Sequence, residues 1–271
     1  MTSYDNYIFD LYGTLLDTFN DEHSADLWEK MAGLYNVYGC NWTGEGLADA
    51  YWKKDREERE VIRQKSGTHY PEIKLQRVFA RLLLEAPSYH DCSYDIRSRD
   101  IDELSESELV HCLANSFRVL SRERFRLYGF TLMLLKELKR QGKGVYLLSN
   151  AAGVFTMPEI EQSGISPYFD AMYISSDHYI MKPDPKFMEI LINEQGLDRT
   201  RSVMVGNEIR SDVSVAVSSG MNSIYVNTGS YEPSFISGQI ETLWAQNGYD
   251  DSLKPHIIYD PQKASPADFF L

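Results

Sequence analysis

Four stretches of this chain place reactive side chains at the ends of apolar runs or in the loops that follow them. YIFDLYGT carries Asp10, Tyr12 and Thr14, and GVYLLSN ends in Ser149 and Asn150. MKPDP carries Lys182, and RSVMVGNEIRSD ends in Glu208 and Asp212. A carboxylate beside a lysine stays ionised, because a neighbouring cation lowers its pKa. A hydroxyl and free backbone amides can hold the oxygens of an anion. Three acids around one lysine leave an excess of negative charge. Two like charges about 4 Å apart repel by roughly 4 kcal/mol at an effective dielectric of 20. A divalent cation removes that conflict, and Mg²⁺ takes oxygen ligands while keeping several waters. Taken singly, each stretch also has a structural reading, as a turn or a helix cap. Four polar stations at the ends of successive apolar runs are harder to produce by loop chemistry alone.

Such stations converge only if the runs are strands of one sheet. From residue 144 onward, GVYLLSN, AMYISSD, RSVMVGN and NSIYVNT alternate with the helical stretches 158–164, 184–196 and 211–220. In the second of these Gly196 is placed as the stop of the helix. Alternating strands and helices predict a parallel sheet covered on both faces, an α/β Rossmann-like core, whose ligands sit at the carboxyl ends of the strands. YIFD adds a strand at the front. Residues 19–121 read as helices only. Leu27, Met31, Leu34 and Tyr38 form one apolar stripe, a second helix is bracketed by Pro71 and Pro87, and Ser105 with Glu108 fits a capping box. The run KKDREERE at 53–60 reads as a solvated helix face. The expected division is 1–17 core, 18–124 helical cap, and 125–271 core, re-entered by the helix FTLMLLKELKRQG. The tail beyond 229 holds one helix and the strand HIIYD, with an irregular surface excursion.

The chain has 271 residues, 43% of them apolar, and a net charge of −13. A packed core is expected, whereas nucleic acid and anionic membranes are disfavoured as partners because both demand basic surface. A small anionic substrate remains compatible if a local cation or metal receives it. Cys40, Cys92 and Cys112 show no C-x-x-C spacing and read as free thiols of a reducing compartment. With no signal peptide and no bilayer-length apolar stretch, a cytoplasmic location is expected.

D-x-x-G-T-L after the first strand, S-N after the second, K-P before a helix and G-N-E-x-x-x-D after the fourth strand resemble the haloacid dehalogenase-like hydrolase superfamily. The inserted helices resemble its cap domain by position. The resemblance covers about residues 4–17 and 125–228. It implies that Asp10 is a nucleophile forming a covalent aspartyl intermediate, held by Lys182, with Ser149 and the amides after Asp10 on the substrate oxygens. Thr14 would brace the loop, and Asn150 would do the same or satisfy backbone. Mg²⁺ would be held by Asp10, the Tyr12 carbonyl and an acid of the 207–212 loop. Asn207 stands where much of the superfamily has Asp, which shifts the expected ligands to Glu208 and Asp212.

Tyr12 stands where many phosphatases of the superfamily carry an acid–base Asp. A phenol with a pKa near 10 can donate a proton but is a poor base at neutral pH. D-x-Y-G-T is also the form of the metal-independent 2-haloacid dehalogenases. Those need a cap arginine for the substrate carboxylate, and no Arg lies between 18 and 55. The favoured expectation is a Mg²⁺-dependent phosphatase acting on a small phosphorylated metabolite. The alternatives are a dehalogenase and a catalytically inactive binding member. Among Arg118, Arg122, Arg124 and Arg126, one is expected to reach a substrate anion. Trp28, Tyr35, Trp42, Tyr51 and Trp52 are expected in the cap without an assigned role.

Overall fold

The computed structural model describes residues 4–90 and 96–270, so Cys92 lies outside the described residues. Six strands form one parallel sheet: β1 (Asn6–Phe9), β4 (Gly144–Ser149), β5 (Ala171–Ile174), β6 (Ser202–Gly206), β7 (Asn222–Val226) and β8 (His256–Ile258), in the order β5-β4-β1-β6-β7-β8. β1 is central, and Tyr7, Ile8 and Phe9 are all buried. This is why YIF is unbroken by polar residues: a strand covered on both faces has no solvent side. Tyr7 and Phe9 pack in one layer with α6 (Thr131–Arg140) and α7 (Gly153–Ser163). Ile8 packs in the other with α9 (Pro185–Gln195) and α10 (Ser214–Ser218). After β1 the chain builds β4 and β5 on one side, then β6, β7 and β8 on the other. Asp10 therefore stands at the topological switch point, where such sheets open a crevice.

Between β1 and β4 the chain makes α1 (Ala25–Val37), α2 (Gly44–Ser66), α3 (Gln76–Leu84), α4 (Ile101–Ser105) and α5 (Glu108–Ser121). An antiparallel ribbon of β2 (Leu16–Asn20) and β3 (Arg122–Leu127) carries the chain into and out of these helices. The expected boundaries at 17/18 and 124/125 fall inside its two strands. The helical block centres on Trp28, Tyr51, Phe79 and Phe117, whose rings meet at centroid distances of 5.1 to 5.6 Å. Trp28, Tyr35 and Tyr51 are thus core residues of the block. Two residues of α7, Val154 and Phe155, belong to the same apolar cluster. The helices and the sheet layer are joined by shared apolar packing as well as by the ribbon.

A polar seam joins them a second time. Pro71 bridges Ile180, the Glu72 amide donates to the Tyr179 carbonyl at 3.2 Å, and Met181 donates to Tyr70 at 3.1 Å. The Thr68 hydroxyl donates to Asp184 at 2.7 Å and the Ser175 hydroxyl to Glu72 at 3.1 Å. This seam lies immediately before and after Lys182.

Several local expectations are corrected. The cap of α5 is Ser107, whose hydroxyl accepts from the Val110 amide, whereas Ser105 ends α4 and donates to Asp102. KKDREERE is an ion-pair seam: Lys54 is buried against Glu85, and Glu57 and Glu58 meet Arg77 and Arg81 on α3. The helix expected at 158–164 begins a turn earlier and carries Pro158 inside it. The end of the tail is no surface excursion, because Phe269 is fully buried, stacks on Phe130 at 5.5 Å, and its carbonyl accepts from the Tyr7 hydroxyl. Cys112 is exposed, and Cys40 is buried with its sulfur 3.9 Å from the Leu83 carbonyl. No helix among the described residues is long and apolar enough to cross a membrane.

The shared cluster has a measurable consequence. Phe155→Ala removes a ring from α7 that the helical block packs around, and should cost roughly 3–5 kcal/mol. Urea unfolding should remain a single transition followed alike by tryptophan fluorescence and circular dichroism. Two separated transitions would show that the helices and the sheet fold independently.

Candidate active site

Asp10, Lys182 and Asp212 meet at the carboxyl end of the central strands. The Lys182 ammonium donates to Asp10 Oδ1 at 2.8 Å, to Asp212 Oδ1 at 2.7 Å and to the Leu148 carbonyl at 2.7 Å. All three residues are buried. Each is held in place by its own element. The Asp10 amide extends the sheet by donating to Val205. Asn150 grips the Lys182 main chain on both sides, donating to its carbonyl at 2.9 Å and accepting from its amide at 2.8 Å. Asp212 closes a π-type turn at 209–213, its Oδ2 accepting from the Glu208 amide at 3.0 Å. Thr14 Oγ1 lies 3.0 Å from Asp10 Oδ2 and 3.1 Å from Asn207 Oδ1. Gly13 permits this packing: its φ is +81°, and a Cβ there would lie 2.4 Å from the Asn207 side chain.

Two carboxylates share one ammonium in this buried cluster, so a net negative charge is left over. Burial pushes the Asp10 pKa up to about 6, with Asp212 adding to the rise and Lys182 opposing it. Burial works against the Lys182 charge, but Asp10 and Asp212 outweigh it and raise its pKa. Ser149, fully buried at the end of β4, has a hydroxyl with no partner among the described residues. It follows Leu148, whose carbonyl receives Lys182, so an unpartnered hydroxyl stands one residue along β4 from the lysine's acceptor.

Glu208 does not join the cluster. Its side chain is exposed and accepts from the Arg210 amide at 3.2 Å. The turn that points Asp212 inward leaves Glu208 outside, and the expected third acid is corrected to a cap. Among the described residues no three His, Cys, Asp or Glu side chains gather as a metal site. The oxygens available to a cation are those of Asp10, Asp212 and the Tyr12 carbonyl, which takes no hydrogen bond among the described residues. Two carboxylates, a carbonyl and an uncompensated negative charge fit a hard divalent ion that keeps much of its water.

The Tyr12 side chain takes part in a second buried cluster, around Glu159 of α7. Glu159 is buried and accepts from the Tyr12 hydroxyl, from Arg118 Nε at 2.7 Å and Nη2 at 3.2 Å, and from Arg122. Arg118 also lies over the Tyr12 ring, 5.3 Å from its centroid. Burial alone would raise the Glu159 pKa, but Arg118, the Tyr12 hydroxyl and Arg122 outweigh it and hold the carboxyl below its usual range. Burial, then the Glu159 charge, pushes the Tyr12 phenol well above its ordinary value. Arg124 and Arg126 pair with Asp17 at 2.7 and 3.0 Å. All four arginines, one of them expected to reach a substrate anion, are therefore already engaged by carboxylates. Glu159 escapes a reading of the sequence, since a glutamate in a helix ordinarily faces water. The one available signal was Arg118 on the apolar side of α5, a buried cation that requires an acid.

The family model described as haloacid dehalogenase-like hydrolase matches residues 4–220. A phosphoglycolate phosphatase of Agrobacterium fabrum is 27% identical over 224 residues, 82% of this chain and 80% of that protein. A glyceraldehyde 3-phosphate phosphatase of Methanothermobacter thermautotrophicus is 23% identical over 163 residues, 60% of this chain and 72% of that protein. Among solved structures, a 2-haloacid dehalogenase of Pseudomonas syringae pv. tomato DC3000 superposes with a TM-score of 0.59 at 19% identity, covering 96% of each chain. That last likeness is one of fold.

The Glu159 cluster makes stability depend on pH with a definite sign. Its folded pKa lies below the unfolded value, so its contribution is complete above about pH 4.5 and is lost as pH falls through the lower folded pKa. At pH 7 Glu159→Gln, which removes the carboxylate that Arg118 and Arg122 share and leaves Arg118 only Glu22 at 3.8 Å, should cost roughly 3–5 kcal/mol in urea unfolding. The gap between wild type and variant should close as pH falls below about 4.5. A constant gap would contradict the assignment.

Proposed function

The chain belongs to the haloacid dehalogenase-like hydrolases, and on that premise we propose that it is a Mg²⁺-dependent phosphohydrolase of small phosphorylated molecules that works through Asp10. The observation that carries this reading is the shared ammonium: Lys182 neutralises only one of two buried carboxylates. The residual negative charge would repel an anionic substrate unless a cation balanced it. Asp10, Asp212 and the Tyr12 carbonyl would hold Mg²⁺, which when bound offsets the charge of carboxylates and phosphoryl group together.

The remaining work falls to the chain itself. Lys182 keeps Asp10 ionised and fixes its Oδ1, while Thr14 steadies Oδ2. A carboxylate so oriented is a competent nucleophile toward phosphorus. The unpartnered Ser149 hydroxyl is available to a phosphoryl oxygen. So are the main-chain amides of Leu11 and Tyr12, which donate to no acceptor among the described residues. Such donors, fixed before substrate arrives, need no reorganisation as charge develops. The named phosphatase relatives favour this reading. The dehalogenase reading draws on Tyr12 and on the fold likeness. Against it, Arg118, Arg122, Arg124 and Arg126 are all paired with acids, leaving none of them for a haloacid carboxylate.

The purified protein should release phosphate from 4-nitrophenyl phosphate with Mg²⁺ and lose this activity in EDTA. Asp10→Asn should lower the rate by at least about 10³-fold, in keeping with loss of a nucleophile. Halide release from 2-chloropropionate, insensitive to EDTA, would replace the proposal with the dehalogenase. Silence with both substrates, in wild type and variant alike, would point to a binding role.

A further inference from the structure

Departure of an alkoxide from phosphorus requires a proton at the leaving oxygen, and the groups around Asp10 have none to give. The three hydrogens of the Lys182 ammonium go to Asp10, Asp212 and the Leu148 carbonyl. Asp212 only accepts, from Lys182, Ser211 and the Glu208 amide. The Thr14 hydroxyl is shared between Asp10 and Asn207. The Ser149 hydroxyl is an alcohol, no more acidic than the alcohol it would have to protonate. Glu208 faces solvent. There remains Tyr12, two residues from Asp10, and its single proton is donated to Glu159. The phenol is fixed there by Thr156 at 3.1 Å and by the Arg118 guanidinium over its ring. Arg118 and Arg122 hold Glu159 as the acceptor.

We infer that Glu159, by capturing the Tyr12 hydroxyl, leaves this site without a proton donor for the leaving group, and that its substrates are phosphoryl compounds whose leaving group departs as a stable anion, acyl phosphates above all. The inference rests on the phosphohydrolase reading. Asp10 attacks phosphorus, the bond from phosphorus to the leaving oxygen breaks, and its electron pair stays on that oxygen. A carboxylate accepts the pair without a proton, whereas an alkoxide does not. Water then attacks the phosphorus of the aspartyl phosphate, the bond to Asp10 breaks, and Asp10 returns as carboxylate. Both hydrogens of the water leave with the phosphate. The sum is acyl phosphate plus water giving carboxylate and dihydrogen phosphate. Glu159 acts through Tyr12 and is a positioning residue.

The test is kcat/KM, which reports the steps through leaving-group departure, for acetyl, 4-nitrophenyl, phenyl and ethyl phosphate with Mg²⁺. It should fall along that series, by about 10²–10⁴-fold between acetyl and ethyl phosphate, the factor that general acid help would otherwise supply. Tyr12→Phe should lower all four values by one common factor. Ethyl phosphate within tenfold of acetyl phosphate would overturn the inference while leaving the phosphohydrolase reading intact. So would a Tyr12→Phe loss that grows with the basicity of the leaving group, since the phenol would then be the donor. No phosphate from any of the four would overturn both.

Discussion

The site depends on one buried ammonium with three acceptors. Lys182 has no hydrogen left for solvent, because Asp10, Asp212 and the Leu148 carbonyl take all three. These acceptors come from the loop after β1, from the turn after β6 and from β4. The lysine is thus an electrostatic tie between segments far apart in sequence as well as a neighbour of the reactive carboxylate. Burying charge is costly unless it is paired and hydrogen-bonded. The local structure meets that demand through the Asn150 clamp on the Lys182 backbone and the turn that aims Asp212.

A second charge cluster around Glu159 sets the relation of the helical block to the sheet. Arg118 lies on α5 and Arg122 on β3, while Glu159 lies on α7 and Tyr12 on the loop after β1. Val154 and Phe155 of α7 sit in the apolar core of the block, and the 68–72 segment docks beside Lys182 from the other side. A freely swinging lid, the usual picture of a cap that closes over substrate, would have to break both seams and expose Phe155. The contacts favour a block held in one position over the rim.

Much of the core is legible in the sequence because parallel strands announce themselves: YIF and VYLL are unbroken apolar runs followed at once by polar residues, and VMV by Gly206 and then Asn207. That pattern places Asp10 and Asp212 on one rim, and the loop between the third strand and its helix adds Lys182. It cannot decide between Glu208 and Asp212, since a five-residue turn determines which acid points inward, and turn geometry is not written in residue type. Nor can it foresee Glu159, whose burial follows from two arginines more than thirty residues away. Ser105 shows the same limit at smaller scale: the expected cap gives way to Ser107 two residues on, whose hydroxyl accepts from the Val110 amide. The charged run at 53–60 looks solvated until α3 supplies Arg77 and Arg81 to meet it.

The most direct measurement is the unfolding free energy of Lys182→Met as a function of pH. With the ammonium gone, two buried carboxylates face each other uncompensated, and the variant should be less stable than wild type at pH 7 by roughly 3–5 kcal/mol. Burial and the neighbouring Asp212 charge already raise the Asp10 pKa against the lysine's pull, and without Lys182 it would rise further, so part of the loss should be recovered as pH falls and Asp10 takes up a proton. A loss under about 1 kcal/mol, the worth of an exposed ion pair, and unchanged with pH, would contradict a shared buried ammonium and with it the site built around Asp10.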